Sequence, residues 1–141
     1  MFTISHLDHL VIRARDAEKL TAFYCDVLGC TRERDVPDFA LIQLRAGASL
    51  IDIVAADGPI GIQGGPPPGE SGGNVDHFCL RIEPFEEPQI RAHLATHGVE
   101  GSELRTLYGA DGFGPSIYLK DPEGNTVELK GPPGPAPSAS F

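Results

Sequence analysis

Apolar and polar residues alternate over His6–Arg15 (HLDHLVIRAR), with Val11 and Ile12 at the centre of the run. A period of two predicts a strand in which His9, Val11 and Arg13 share one face and Leu10 and Ile12 the other. After Asp16 the period changes. Leu20, Phe23, Tyr24, Val27 and Leu28 recur at the spacing of one helix face, with Asp16 placed as N-cap and Gly29 as the stop. Three short strand-like runs follow, Cys30–Val36, Phe39–Arg45 and Ser49–Ala55, parted by turns at Pro37-Asp38 and Ala46-Gly47.

Asp57–Gly73 (DGPIGIQGGPPPGESGG) holds too much Gly and Pro for regular structure and predicts a long loop, a lid or a linker. Beyond it the order begins again. Asn74–Glu83 reads as a strand; Glu86–His97 reads as a helix with Pro88 in its first turn, Ile90 and Leu94 on one face and Gly98 as its stop. Val99–Tyr108 holds a further strand, and Gly109–Gly114 (GADGFG) a flexible connection. Gly114–Lys130 then reads as strand, tight turn on Asp121-Pro122-Glu123-Gly124, and strand, with Glu128 near its end. The tail Gly131–Phe141 (GPPGPAPSASF) cannot build a core and is expected to be flexible. The chain thus predicts one α+β domain over residues 1–130. It consists of two βαβββ modules, about 5–56 and 74–130, joined by the loop 57–73.

The two halves carry the same chemistry at the same places. Leu7-Asp8-His9-Leu10-Val11-Ile12-Arg13 answers Val75-Asp76-His77-Phe78-Cys79-Leu80-Arg81 at an offset of 68 residues, and Leu50-Ile51-Asp52-Ile53 answers Thr126-Val127-Glu128-Leu129 at an offset of 76. Such a repeat is to be read before any single motif. Each half has a His on its first strand and a carboxylate on its last. Should the halves pack about a pseudo-twofold axis, two imidazoles and two carboxylates can converge. That donor set suits a divalent first-row metal, and strands hold a preorganised set more rigidly than loops do. Either His alone reads as a polar residue at a strand start. The repeated context with Glu128 favours ligation.

The doubled βαβββ pattern, the Asp-His strands and the Asp121-Pro122-Glu123-Gly124-Asn125 hairpin leading to Glu128 resemble the vicinal oxygen chelate superfamily. Its members include glyoxalase I, methylmalonyl-CoA epimerase, fosfomycin-modifying transferases, extradiol dioxygenases and bleomycin-resistance proteins. The resemblance runs from about Leu7 to Lys130. It implies a curved mixed sheet around a metal site, with helices on the outer face. His9, His77 and Glu128 match the regular metal-ligand positions. Asp52 falls at the fourth, where glyoxalase-like members usually have the longer Glu. Tyr118 matches a tyrosine that positions an oxygen at the metal in the dioxygenase and fosfomycin branches. Arg13 matches the position that grips a substrate carboxylate in glyoxalase I.

What the resemblance implies is a metalloenzyme using one divalent ion (Ni, Co, Zn, Mn or Fe(II)) to polarise two adjacent substrate oxygens. The reading that follows is a glyoxalase-like lyase or isomerase working through an enolate or enediolate. His9, His77, Glu128 and Asp52 would be ligands, Glu128, Asp52 and Tyr118 catalytic groups, and Arg13 the substrate clamp. An Fe(II) extradiol-type dioxygenase and a non-catalytic binding or resistance protein are the alternatives. The retained ligand set argues against the last. Family members of this size are commonly homodimers, which extends to this chain as an expectation.

Composition bounds the rest. With 11 basic against 20 acidic residues and a formal net charge of −9, the chain has no general attraction for nucleic acid or an anionic membrane. Its partner is expected to be a small molecule. Cys25, Cys30 and Cys79 form no C-x-x-C pair, so neither a disulfide framework nor a thiolate zinc site is indicated. The N-terminal residues lack the features of a secretory signal, and the expectation is a cytoplasmic, reduced protein. Cys79 reads as a small buried hydrophobe. Asp8 and Asp76, by alternation, point away from their neighbouring histidines' face.

Overall fold

The computed structural model describes residues 1 and 3–138. The chain divides into two compact units, one ending at Asn74 and the other beginning at Val75. In the first, the strands are β1 (His9–Ala14), β2 (Thr31–Val36), β3 (Leu41–Ala46) and β4 (Ser49–Ala55), and helix α1 (Ala17–Asp26) follows β1. The second holds β5 (Phe78–Arg81), α2 (Glu87–Thr96), β6 (Arg105–Gly109), β7 (Gly112–Lys120) and β8 (Thr126–Lys130). Each unit is a βαβββ module with its own four-stranded sheet, ordered β1-β4-β3-β2 and β5-β8-β7-β6. The first and last strands of each module pair parallel; the other pairs are antiparallel. The fold class is α+β, as the repeat predicted.

Alternation sorts each sheet into two faces. In the first module Ile12, Ala14, Leu44 and Ile53 are fully buried, beside Ile42 and Ile51, and α1 adds Leu20, Phe23 and Tyr24 from one helix face, with Val27 at its C-cap. Each such side chain contributes about 1.5–3 kcal/mol by leaving water. Asp16 caps α1 by accepting from the Lys19 amide at 3.0 Å. In the second module Ile117, Leu119, Val127 and Leu129 fill the same place, and Leu94 is the buried residue of α2. The opposite faces carry the chemistry: His9, Val11, Arg13, Gln43 and Asp52 in one module, His77, Cys79, Tyr118 and Glu128 in the other.

Several elements differ in extent from the periodicity. β1 begins at His9 and Phe39 falls in a 3₁₀ turn over Pro37–Phe39, where Pro37 presets the first φ and Ala40 closes the turn in the left-handed region. β5 is only four residues long, so His77 stands just ahead of it. Asn74, read as the start of that strand, instead uses its side-chain amide as a substitute strand partner. It accepts from the Arg13 backbone N–H at 3.0 Å and donates to the Arg13 carbonyl at 3.1 Å. This satisfies the outward backbone groups of Arg13 on the edge strand β1. The Gly109–Gly114 connection is not loose: Gly109 pairs with Gly112, and Tyr108 with Phe113, in a β6–β7 hairpin.

Buried Lys130 ties this hairpin down. Its ammonium donates to the carbonyls of Leu107 and Gly114 and to Ser116 Oγ. Past the sheet, the Gly131 and Gly134 amides donate to Pro115 and Phe113, at 2.8 and 2.7 Å, so the first tail residues run along β7. The last three residues of the predicted tail, 139–141, lie outside the described residues. No helix among the described residues is long and apolar enough to cross a membrane.

Candidate metal centre

Strand register shows that the repeat is one of geometry as well as sequence. Asp52 on β4 lies opposite Val11 on β1, and Glu128 on β8 lies opposite Cys79 on β5. His9 and His77 each stand two residues before that partner. On the other side, Gln43 on β3 faces Asp52 as Tyr118 on β7 faces Glu128. The parallel pairing of first and last strands is what brings imidazole and carboxylate together although they lie far apart along the chain.

The second module makes the closer pair. Glu128 is 6% exposed, and its Oε2 lies 3.4 Å from His77 Nε2. A buried carboxylate needs a partner. The two neighbouring lysines are committed elsewhere, Lys130 as described and Lys120 to Gly124 and Thr126. The Tyr118 ring meets His77 edge to face at a centroid separation of 5.4 Å. Desolvation, then the Glu128 charge and a hydrogen bond to it, push the Tyr118 phenol up. Cys79 is exposed rather than a buried hydrophobe. Desolvation of its thiol, with the Glu128 charge beside it, pushes it up to about 11.

In the first module Asp52 is 5% exposed. Its Oδ2 accepts from Gln43 Nε2 at 3.0 Å, while Oδ1 is buried without a hydrogen-bond partner. His9 is held above its ordinary imidazole value chiefly by a hydrogen bond to Asp8, with a further contribution from the Asp52 charge.

Both histidines are oriented by the residue before them. His9 Nδ1 lies 2.7 Å from Asp8 Oδ1, and His77 Nδ1 lies 2.6 Å from Asp76 Oδ2. Only an N–H satisfies a carboxylate there, so a neutral ring presents its Nε2 lone pair. In metal sites a carboxylate on the far ring nitrogen does this work. Strand alternation had turned Asp8 and Asp76 away. Neither Asp8 nor His77 belongs to a strand, so period two does not govern either doublet. The signal was the repeated Asp-His doublet itself.

The donors therefore fit a divalent ion in kind: Nε2 lone pairs aimed by carboxylates, a bare buried oxygen on Asp52, and an acceptor facing an acceptor at His77 and Glu128. As placed, each module contributes two donors. Among the described residues no group of three or more His, Cys, Asp or Glu is gathered as a metal-holding cluster.

Arg13 is occupied differently from a free substrate clamp. Its Nε donates to Gly61 O at 2.9 Å, Nη1 to Gly64 O at 3.0 Å, and Nη2 to Gly65 O at 2.6 Å and Pro66 O at 3.1 Å. Arg15 Nε adds a bond to Pro68 O at 2.9 Å. The planar fork of a guanidinium suits several carbonyls at once. A Cβ at Gly64 would sit 2.7 Å from the Arg13 guanidinium, which would have to shift. The Gly/Pro loop is thus strapped to β1.

Raised thiols have a direct consequence. Cys30, pushed up to about 11 by burial, and Cys79 should each alkylate with iodoacetamide at pH 8 about 10-fold more slowly than an ordinary thiol, since only the thiolate reacts and its scarcity outweighs its greater nucleophilicity. The rates should climb with pH until about 11. Peptide-resolved labelling by mass spectrometry checks this, and labelling of Cys79 at the rate of a free thiol would contradict it.

Comparison with known proteins agrees with this architecture. The family model described as the Glyoxalase/Bleomycin resistance protein/Dioxygenase superfamily matches residues 6–129. Among solved structures, an integron cassette protein from the mobile metagenome of V. cholerae is 27% identical, with 93% of this chain and 98% of that chain covered and a TM-score of 0.72. Lactoylglutathione lyase from Agrobacterium tumefaciens is 20% identical, covering 92% and 95%, at a TM-score of 0.68. An antibiotic-binding protein from Streptomyces is 21% identical, covering 94% and 99%, at a TM-score of 0.71.

Proposed function

The chain belongs to the Glyoxalase/Bleomycin resistance protein/Dioxygenase superfamily, and from that premise we propose that it is a metal-dependent, glyoxalase-like lyase or isomerase. Its substrate would be a small molecule with two adjacent oxygens. The observation that carries the reading is the repeated register, which sets an oriented imidazole beside a buried carboxylate in each module. His9 and Asp52 are the proposed ligands in the first module, and His77 and Glu128 in the second. When bound, a divalent ion would supply Lewis acidity to the substrate oxygens and ease the development of enolate charge.

The chain's own groups do the rest. Asp8 and Asp76 keep the two rings in the tautomer that presents Nε2. Glu128 is the proton-transfer candidate, since its carboxylate is buried among His77, Tyr118 and Cys79, and such assistance is worth about 10²–10⁴ in rate. Tyr118 keeps its proton, being pushed up, and can donate a hydrogen bond to a substrate oxygen. The strapped loop would restrict water at the first module. A homodimer accompanies the reading as a family expectation.

The test is turnover by protein loaded in turn with Ni, Co, Zn, Mn or Fe(II). The substrates are a hemithioacetal of a 2-oxoaldehyde, an epimerisable 2-acyl thioester and a catechol. Metal-dependent turnover of either of the first two is the expected result. Oxygen uptake on the catechol with iron alone would replace this reading by the dioxygenase. Tight binding of an apolar ligand with no turnover would replace it by a binding protein, a role that the Streptomyces neighbour's description carries.

A further inference from the structure

Three side chains stand in one row across the first sheet. Arg34 on β2 is paired in register with Gln43 on β3, and Gln43 with Asp52 on β4. Arg34 Nη1 donates to Gln43 Oε1 at 3.3 Å, and Gln43 Nε2 donates to Asp52 Oδ2 at 3.0 Å. The two ends set the amide's orientation: a guanidinium can only donate and a carboxylate can only accept. The row ends on Asp52, whose Oδ1 is buried without a hydrogen-bond partner.

A carboxylate oxygen left bare in the interior gives up its hydration with nothing in return, and native proteins keep few such atoms. Its neighbour oxygen, by contrast, accepts the Gln43 amide. We propose, resting on the reading of Asp52 as a ligand, that Gln43 is a positioning residue that restricts Asp52 to binding through a single oxygen. Oδ2 is held by the amide, and Oδ1 alone is presented to the cation. In the second module the register position of Gln43 is filled by Tyr118, a hydroxyl donor in place of a fixed amide. Nothing in the composition or spacing of the chain marks Gln43. It emerges only when β2, β3 and β4 are laid side by side.

The experiment is titration of metal-free protein with Co(II), following the visible absorption of the bound ion and the dissociation constant, for wild type, Gln43→Met, Arg34→Met, Asp52→Asn and the Gln43→Met/Arg34→Met pair. Gln43→Met keeps the volume and removes the donor. It should weaken Co(II) by about 10–100-fold, as loss of an outer partner does, and change the absorption spectrum as Oδ2 becomes available. A merely structural role would move the thermal midpoint of the metal-free protein and leave the spectrum unchanged. Arg34→Met should weaken binding less and add nothing in the Gln43→Met background.

Wild-type affinity and spectrum in Gln43→Met, with Asp52→Asn weakened, would overturn this inference and leave the ligand reading standing. Wild-type affinity in Asp52→Asn would instead remove Asp52 from the proposed ligands. An independent, additive loss from Arg34→Met would overturn the row as a relay. Should Gln43→Met fail to fold, Gln43→Asn, one methylene too short to reach Asp52, carries the same test.

Discussion

Purified His77→Ala should carry far less divalent metal than wild type, whose expected content under the proposed reading is about one ion per site. His77 is the donor placed closest to a second one, with Nε2 3.4 Å from Glu128 Oε2. Removing the ring deletes a ligand and leaves a buried carboxylate with no ion partner. The loss should therefore exceed the roughly 10–100-fold that an outer partner costs. Asp76→Asn, which weakens only the Nδ1 acceptor, should fall within that 10–100-fold range. Elemental analysis of the two variants beside wild type reads both effects. Full metal content in His77→Ala would remove His77, and with it the proposed centre.

The second large effect is expected at Gly61. This residue opens the 3₁₀ turn Gly61–Gly64 and is buried. A Cβ added there would be driven into the Ala55 carbonyl oxygen and would lie 2.7 Å from Ala56 Cα. Both obstacles are backbone, so no side chain can swing aside. In Gly61→Ala the turn must lift from β4, pulling Gly61 O away from Arg13 Nε and disturbing the three neighbouring carbonyl bonds of the same guanidinium.

Overpacking of this kind costs about 1–3 kcal/mol and occasionally more, and hydrogen bonds to a charged group are worth about 1.5–3 kcal/mol each. A net loss of about 2–4 kcal/mol is expected, together with loss of amide-exchange protection through the loop. Arg13→Lys should release the loop without the clash, since an ammonium cannot reproduce the four-carbonyl fork. Calorimetry and hydrogen exchange on the two variants measure this. An unchanged exchange pattern in both would mean that Arg13 does not hold the loop.

Element types were legible because strands and helices leave different periods. The change after Asp16, from alternation to the Leu20–Phe23–Tyr24–Val27 spacing, is a local signal, and α1 begins and is capped where that signal places it. Ends were less legible. β5 is four residues and not ten, because strand length is set by the partner available, and β8 offers only five residues for pairing. Gly109–Gly114 reads as slack in composition. It is taut in the fold because Lys130, far along the chain, supplies the ammonium that the hairpin carbonyls accept.

The site divides in the same way. His9, His77, Asp52 and Glu128 could be named from the sequence because the chain contains two copies of one module, and Tyr118 because it matches a position of the resembled family. A repeat turns a single weak motif into a pair of matching ones. The sequence alone therefore determined the α+β class and the doubled βαβββ order, and it named the candidate ligands. What only the tertiary structure decided is how those residues are occupied. It aimed Asp8 and Asp76 at the imidazoles, turned Arg13 from a clamp into the strap of the loop, exposed Cys79 beside Glu128, and set Gln43 on one oxygen of Asp52. The physical reason is that a side chain's partner is chosen by strand register and by segments that are distant in sequence, and neither leaves a periodic trace in the residues themselves.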